Sequence, residues 1–191
     1  LQSLHPFYTA ENRIDLPSGI AGAWRLTSEH GTLREGYRPW VFSGDTLTVY
    51  DEHGNPAELT ATFFKIGKKL YLDTVAENPD ERRLNRFWTL HVTPVHVLCR
   101  VELAKDTLTL FPPDCEWLYR TLDNEPGPAA VCNDEKVRIF TASGADWEAF
   151  LKRHAGSAEA FPARLALVFQ RAPHPVPETP AADSTDPKTT P

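Results

Sequence analysis

The chain contains no methionine, only three cysteines and no surplus of basic residues. The net charge of −6 argues against a nucleic-acid partner, because neutralising phosphates requires clustered Lys and Arg. No apolar run is long enough for a membrane-spanning helix. The chain begins at Leu1 without an initiator methionine or an apolar signal segment, so we expect a processed or trimmed protein.

Short motifs that indicate common catalytic, phosphate-binding or metal-binding sites are also missing. We find no nucleophilic Ser elbow, no Gly-rich phosphate loop and no Cys-x-x-Cys pair. DEHGNP (51–56) lacks the later ligand positions of an EF-hand loop. We therefore assign no catalytic residue, no metal ligand and no cofactor from the sequence.

The three cysteines are Cys99, Cys115 and Cys132. An odd number allows one disulfide and one free thiol, or no disulfide. Cys115 and Cys132 are the better candidates for a bridge because they enclose a turn-rich segment, and closing that loop would contribute about 3 kcal/mol. The alternative is two unrelated buried thiols. Cys99 is expected to be a small core residue, since no neighbouring base is evident to activate it.

What the chain does contain is a repeated alternation of apolar and polar residues from residue 22 to residue 111. This period of two predicts strands with one buried face. The segments are GAWRLTSE, WVFS, DTLTVYD, AELTATFFKI, KKLYLDTV, WTLHVTPVHVLCRV and DTLTLF. They do not alternate with helices, which favours an antiparallel β protein. Closure into a barrel of about eight to nine strands would remove exposed strand edges.

Two short helices are predicted after residue 111, where the apolar period lengthens. The first spans about 114–124 with Asp114 as its N-cap, and the second about 144–155 after Ser143. ARLALVFQR (163–171) alternates again and predicts the last strand. The barrel domain thus covers 22–171.

The segments around this domain have different expectations. Residues 1–21 are expected to form an extended arm, and the Pro- and Thr-rich 172–191 a disordered tail. The charged stretch 77–86 is expected to be a solvated loop rather than a recognition surface. Pro94 predicts a bulge, a bend or an edge position in its strand.

Gly22-Ala23-Trp24 at the start of the first strand, together with Arg171 at the end of the last, resembles the lipocalin-like barrels. The resemblance implies that Trp24 plugs one end of the barrel and that Arg171 lies across its ring. A cation over an indole contributes about 0.5–2 kcal/mol.

A second resemblance covers residues 1–171. LQSLHPFYTAENRIDLPSGIAGAW, KLYLDT, LHVTPVHVLCRV and TASGADWEAFLKRHA are similar to a family of uncharacterised bacterial envelope lipoproteins. In that family a segment like SLHPFYT follows a lipid-modified Cys. The resemblance implies export, an N-terminal lipid anchor outside this chain, a place at the periplasmic face of the cell envelope and a barrel-like domain. It implies no known activity.

His91, His96 and Asp73 are the polar residues that invite a chemical role. The two histidines are five residues apart and therefore point to opposite faces of a regular strand, which disfavours a shared metal. Period-two geometry predicts that Leu70 and Leu72 face inward and that Asp73 faces outward.

Three functions remain open on this sequence. The leading hypothesis is a non-enzymatic lipocalin-like domain that binds a lipid or another apolar small molecule. Its expected lining is Trp40, Phe42, Leu47, Phe63, Leu72 and Phe169. The first alternative is a structural or protein-interaction module of the envelope with a solid core. The second is a hydrolase that uses Asp73 or the region of His91 and His96.

Overall fold

A computed structural model describes residues 1–30, 32–33, 36, 38–51, 53–76, 93–124, 127–128, 130–133 and 137–173, with the backbone alone for 130–133 and 137–138. The strands are β1 (Gln2–Ser3), β2 (Arg13–Ile14), β3 (Gly22–Glu29), β4 (Thr32–Leu33), β5 (Trp40–Ser43), β6 (Thr46–Tyr50), β7 (Pro56–Ile66), β8 (Lys69–Val75), β9 (His96–Ala104), β10 (Thr107–Phe111), β11 (Ala130–Asn133), β12 (Val137–Phe140) and β13 (Leu167–Arg171). The helices are α1 (Cys115–Leu122) and α2 (Gly144–His154), and Ala163–Leu165 form a 3-10 turn.

Eight strands close into an antiparallel barrel. They follow the order β3-β5-β6-β7-β8-β9-β10-β13, and β13 pairs back with β3. The predicted mainly β, antiparallel barrel is therefore confirmed. Closure satisfies the strand edges that an open sheet would expose.

The two ends of the barrel differ in their connections. At the Trp24 end, tight turns join neighbouring strands at Gly44, Gly67 and Lys105, all with positive φ. The opposite end is where β3, β6 and β8 finish and β9 begins, and its connections 30–39, 51–55 and 76–95 are longer. We call this opposite end the mouth.

A second layer covers the outer face of β7–β10. The apolar outer faces of these strands pack against α1, α2 and the N-terminal residues in one cluster that includes Phe7, Tyr71, Leu118 and Trp147. Leu118 and Trp147 come from the two helices, so each helix buries its apolar stripe on the barrel.

Residues 1–21, which were expected to form an extended arm, are built into the fold. β1 pairs with β9 and β12, and β2 pairs with β7. Phe7 and Ile20 have no exposed surface. The arm is therefore part of both apolar clusters.

The predicted helix caps are confirmed. The side chain of Asp114 accepts a hydrogen bond from the Trp117 amide at 2.9 Å. Ser143 and Asp146 form a reciprocal capping box at the start of α2. Such caps satisfy amide groups that a helix leaves unpaired at its first turn.

Several boundaries differ from the sequence expectation. The strand expected to contain Pro94 begins at His96, after the proline. Residues 163–165 form a 3-10 turn after Pro162 instead of the start of the last strand. β11 was not predicted. The 77–86 loop, His91 and the tail beyond 173 lie outside the described residues. Within the described part, no helix has the length and hydropathy to cross a bilayer.

Candidate functional site

At the Trp24 end of the barrel, the two residues predicted to form a plug are in contact. The Arg171 guanidinium carbon lies 4.3 Å from the centroid of the Trp24 ring. Arg171 also donates to the carbonyl oxygens of Ala21, at 3.1 Å, and of Gly19. Trp24 is fully buried, and its Nε1 donates to the Ile20 carbonyl at 2.7 Å. The structure thus brings together two residues from opposite ends of the domain.

The six residues expected to line a ligand site all belong to the apolar cluster inside the barrel. Two aromatic pairs meet within it, Trp40 with Phe169 at 4.9 Å and Phe42 with Phe63 at 5.9 Å between ring centroids. All but Trp40 are at most 2% exposed. We call these six residues the floor, because they fill the barrel around Trp24. The floor residues are Trp40, Phe42, Leu47, Phe63, Leu72 and Phe169.

Between the floor and the mouth, the inward-facing side chains are more exposed. Leu47 is 1% exposed, whereas Val49, two residues nearer the mouth, is half-buried. On β9 exposure rises from 4% at Val101 to 38% at Val97. We call five of the inward-facing residues at this level the upper wall. These five are Val49, Leu59, Thr74, Val97 and Cys99.

Sequence reasoning missed the upper wall. Its members continue the same alternation as the floor, so their inward direction was readable. Their position along the barrel axis could not be inferred, because it depends on the register of each strand with its neighbours. Antiparallel order alone would have given the direction of each strand but not this register.

Cys99 is partly buried and belongs to the inner apolar cluster. Burial raises the pKa of the thiol to about 12. Desolvation of this kind disfavours the thiolate and makes the cysteine a poor nucleophile.

We expect Cys99 to react with iodoacetamide about a thousandfold more slowly in the folded protein than in urea at pH 8. The reason is that its pKa rises from the model-compound value of 9.0 to about 12, which lowers the thiolate fraction by that factor. Peptide mass spectrometry of timed samples measures the rate at Cys99, and the urea-unfolded chain is the control. Comparable rates in the two states would contradict a desolvated thiol.

Asp73 faces outward from the barrel, as predicted, but it does not reach solvent. Its side chain is 1% exposed because the N-terminal residues cover it. One carboxylate oxygen accepts the Phe7 amide at 2.9 Å, and the other lies 2.9 Å from His96 Nδ1. The buried carboxylate is thus satisfied and ties the N-terminal residues to β8 and β9.

Tyr71 and Arg100 occupy the same outer face. They are register partners on β8 and β9, and the guanidinium lies 4.4 Å from the Phe111 ring centroid. Burial raises the pKa of Tyr71 to about 12, against the opposing effect of the nearby Arg100 charge. Neither the Tyr71 hydroxyl nor Arg100 Nε has a hydrogen-bond partner among the described residues.

Two further clefts open at the surface of the described part of the chain. One of about 350 Å³ lies beside β2, is bordered by Arg13, Asp15 and Asp45, and reaches the inner-cluster residues Ala61 and Phe63. The other, of about 400 Å³, lies between α1 and residues 158–164. In the second cleft Arg164 pairs with Asp114, and Arg120 pairs with Glu159 at 3.4 Å, so these charges neutralise each other within the wall.

The remaining candidates are placed as follows. His96 is engaged by Asp73, and no group of three His, Cys, Asp or Glu side chains is arranged for a metal within the described ranges. The sulfur of Cys115 lies 3.8 Å from the Leu1 amino nitrogen. The side chain of Cys132 is outside the described residues, so the Cys115–Cys132 bridge stays a prediction.

Comparison with known proteins adds no relative. Neither a family model, a curated protein nor a solved structure matches this chain.

Proposed function

We propose that this barrel binds a lipid or another apolar small molecule, without catalysis, and admits it through the mouth. The observation that carries the proposal is the rise in exposure of inward-facing apolar side chains toward the mouth. Val97 is the most exposed residue of the upper wall, at 38%. Apolar surface in contact with water is unfavourable by about 25 cal/mol per Å², and a bound apolar molecule would cover it.

The floor gives such a site a defined depth. Leu47, Phe63 and Phe169 are almost completely covered by other side chains. A ligand would therefore rest on the floor and contact the upper wall. Because Arg171 stacks on Trp24 at the other end, we take the mouth as the way in and out.

The test is a fluorescence titration with N-phenyl-1-naphthylamine, an uncharged dye that brightens when it leaves water. We expect saturable binding to the native chain. Leu59→Trp adds bulk at the upper wall and should weaken binding at least about tenfold, because overfilling a confined space forces costly shifts. Glu58→Trp places the same side chain on the exposed outer face of β7 and should leave binding unchanged.

The outcomes separate the two main functions. Absence of dye binding by the folded native chain would contradict a binding barrel and favour the structural or interaction module with a solid core. Equal weakening by Leu59→Trp and Glu58→Trp would place the dye outside the barrel and would also contradict the proposal.

We also propose that the protein works at the periplasmic face of a bacterial envelope, held by an N-terminal lipid. The support is the resemblance of the sequence to envelope lipoproteins. The test is fractionation of the source cells combined with labelled palmitate. Recovery of unlabelled protein in the cytosol would contradict this location. Native mass spectrometry of envelope-purified protein would then identify a co-purifying lipid or protein.

A further inference from the structure

We propose that the ligand is uncharged: an apolar chain or ring system with a single hydroxyl or carbonyl group that hydrogen-bonds to Thr74. This inference rests on the proposed binding role and specifies its ligand. It comes from what the inner surface of the barrel offers between the floor and the mouth.

None of the five upper-wall residues is charged. They are Val49, Leu59, Thr74, Val97 and Cys99. Arg171 stacks on Trp24 beyond the floor. Its guanidinium donates hydrogen bonds to the carbonyl oxygens of Ala21 and Gly19. A carboxylate or ammonium drawn into this space would lose its hydration without gaining an ion pair from these five side chains.

Thr74 supplies the best hydrogen-bonding group of the upper wall. It lies on β8 opposite Val97, and Cys99 is its diagonal neighbour on β9. The thiol of Cys99 stays protonated because burial raises its pKa, and a thiol is only a weak donor. A hydroxyl both donates and accepts, so Thr74 suits either an alcohol or a carbonyl.

The experiment compares three ten-carbon molecules that differ only in their head group. Decanol, decanoate and decylammonium compete with N-phenyl-1-naphthylamine on the native chain at pH 8. We expect decanol to compete at least about tenfold more tightly than either ion, because buried unpaired charge is costly.

Variants at Thr74 test the hydrogen bond. Thr74→Val, which keeps the shape, should weaken decanol about three- to tenfold more than it weakens the dye, and Thr74→Ser should restore decanol. Thr48→Val, on the outer face of β6, is the matched control and should change neither the affinity for decanol nor that for the dye.

Equal or tighter competition by either ion would overturn this inference while leaving the binding role intact. An unchanged decanol affinity in Thr74→Val would overturn the role of Thr74. Failure of the dye itself to bind would instead overturn the proposed function, and with it this inference.

Discussion

Trp24→Ala is expected to lower the free energy of unfolding by about 3–5 kcal/mol, a large share of the 5–15 kcal/mol typical of a domain. The indole is fully buried and touches the floor. Its removal leaves a cavity, takes the ring away from Arg171 and frees the Ile20 carbonyl. Urea unfolding followed by far-ultraviolet circular dichroism measures the change.

Two variants separate the contributions at Trp24. Trp24→Phe keeps an aromatic face under Arg171 but loses the Nε1 hydrogen bond, and we expect a smaller loss of about 1–2 kcal/mol. Trp40→Ala removes the same type of side chain from the neighbouring strand, where it is half-buried, and should cost less than Trp24→Ala. If Trp40→Ala lowers the free energy of unfolding as much as Trp24→Ala, then Trp24 contributes no more than another tryptophan of the barrel, and its role as a plug is wrong.

Asp73→Ala is expected to destabilise the protein by about 3 kcal/mol and to loosen the N-terminal residues. The substitution leaves the buried Phe7 amide without its acceptor and His96 without its partner. Hydrogen exchange should show lost protection at Phe7, before any change in the barrel strands. Urea unfolding gives the global cost.

The controls for Asp73 use the same chemistry in other settings. Asp73→Asn retains an oxygen that can accept from Phe7 and should lose less stability than Asp73→Ala. Asp106→Ala removes a carboxylate that is 76% exposed and pairs with Arg171 at 3.5 Å, and should cost under about 0.5 kcal/mol. Unchanged exchange at Phe7 in Asp73→Ala would refute the tie between the N-terminal residues and the barrel.

The strands of the barrel were predictable because the face of a strand on which each side chain lies follows from local geometry. Side chains alternate across a strand, so Leu47 and Phe63 were correctly assigned to the inside. The caps Asp114 and Ser143 were predictable for a similar reason, since a cap depends on residues within one helical turn.

Asp73 shows where that reasoning ends. Its outward direction followed from the alternation, but its burial did not. Burial requires the N-terminal residues to fold back over β8 and deliver the Phe7 amide. That contact joins distant parts of the chain, and no local pattern encodes it.

The candidate site shows the same contrast between local and tertiary information. The sequence by itself determined which side chains face the barrel interior, because the pleat imposes a period of two. Only the tertiary structure decided that Phe63 lies in the floor while Leu59 and Val97 lie near the mouth. The physical reason is that height along the barrel depends on the register of hydrogen-bonded neighbours and on closure, which are properties of eight strands together.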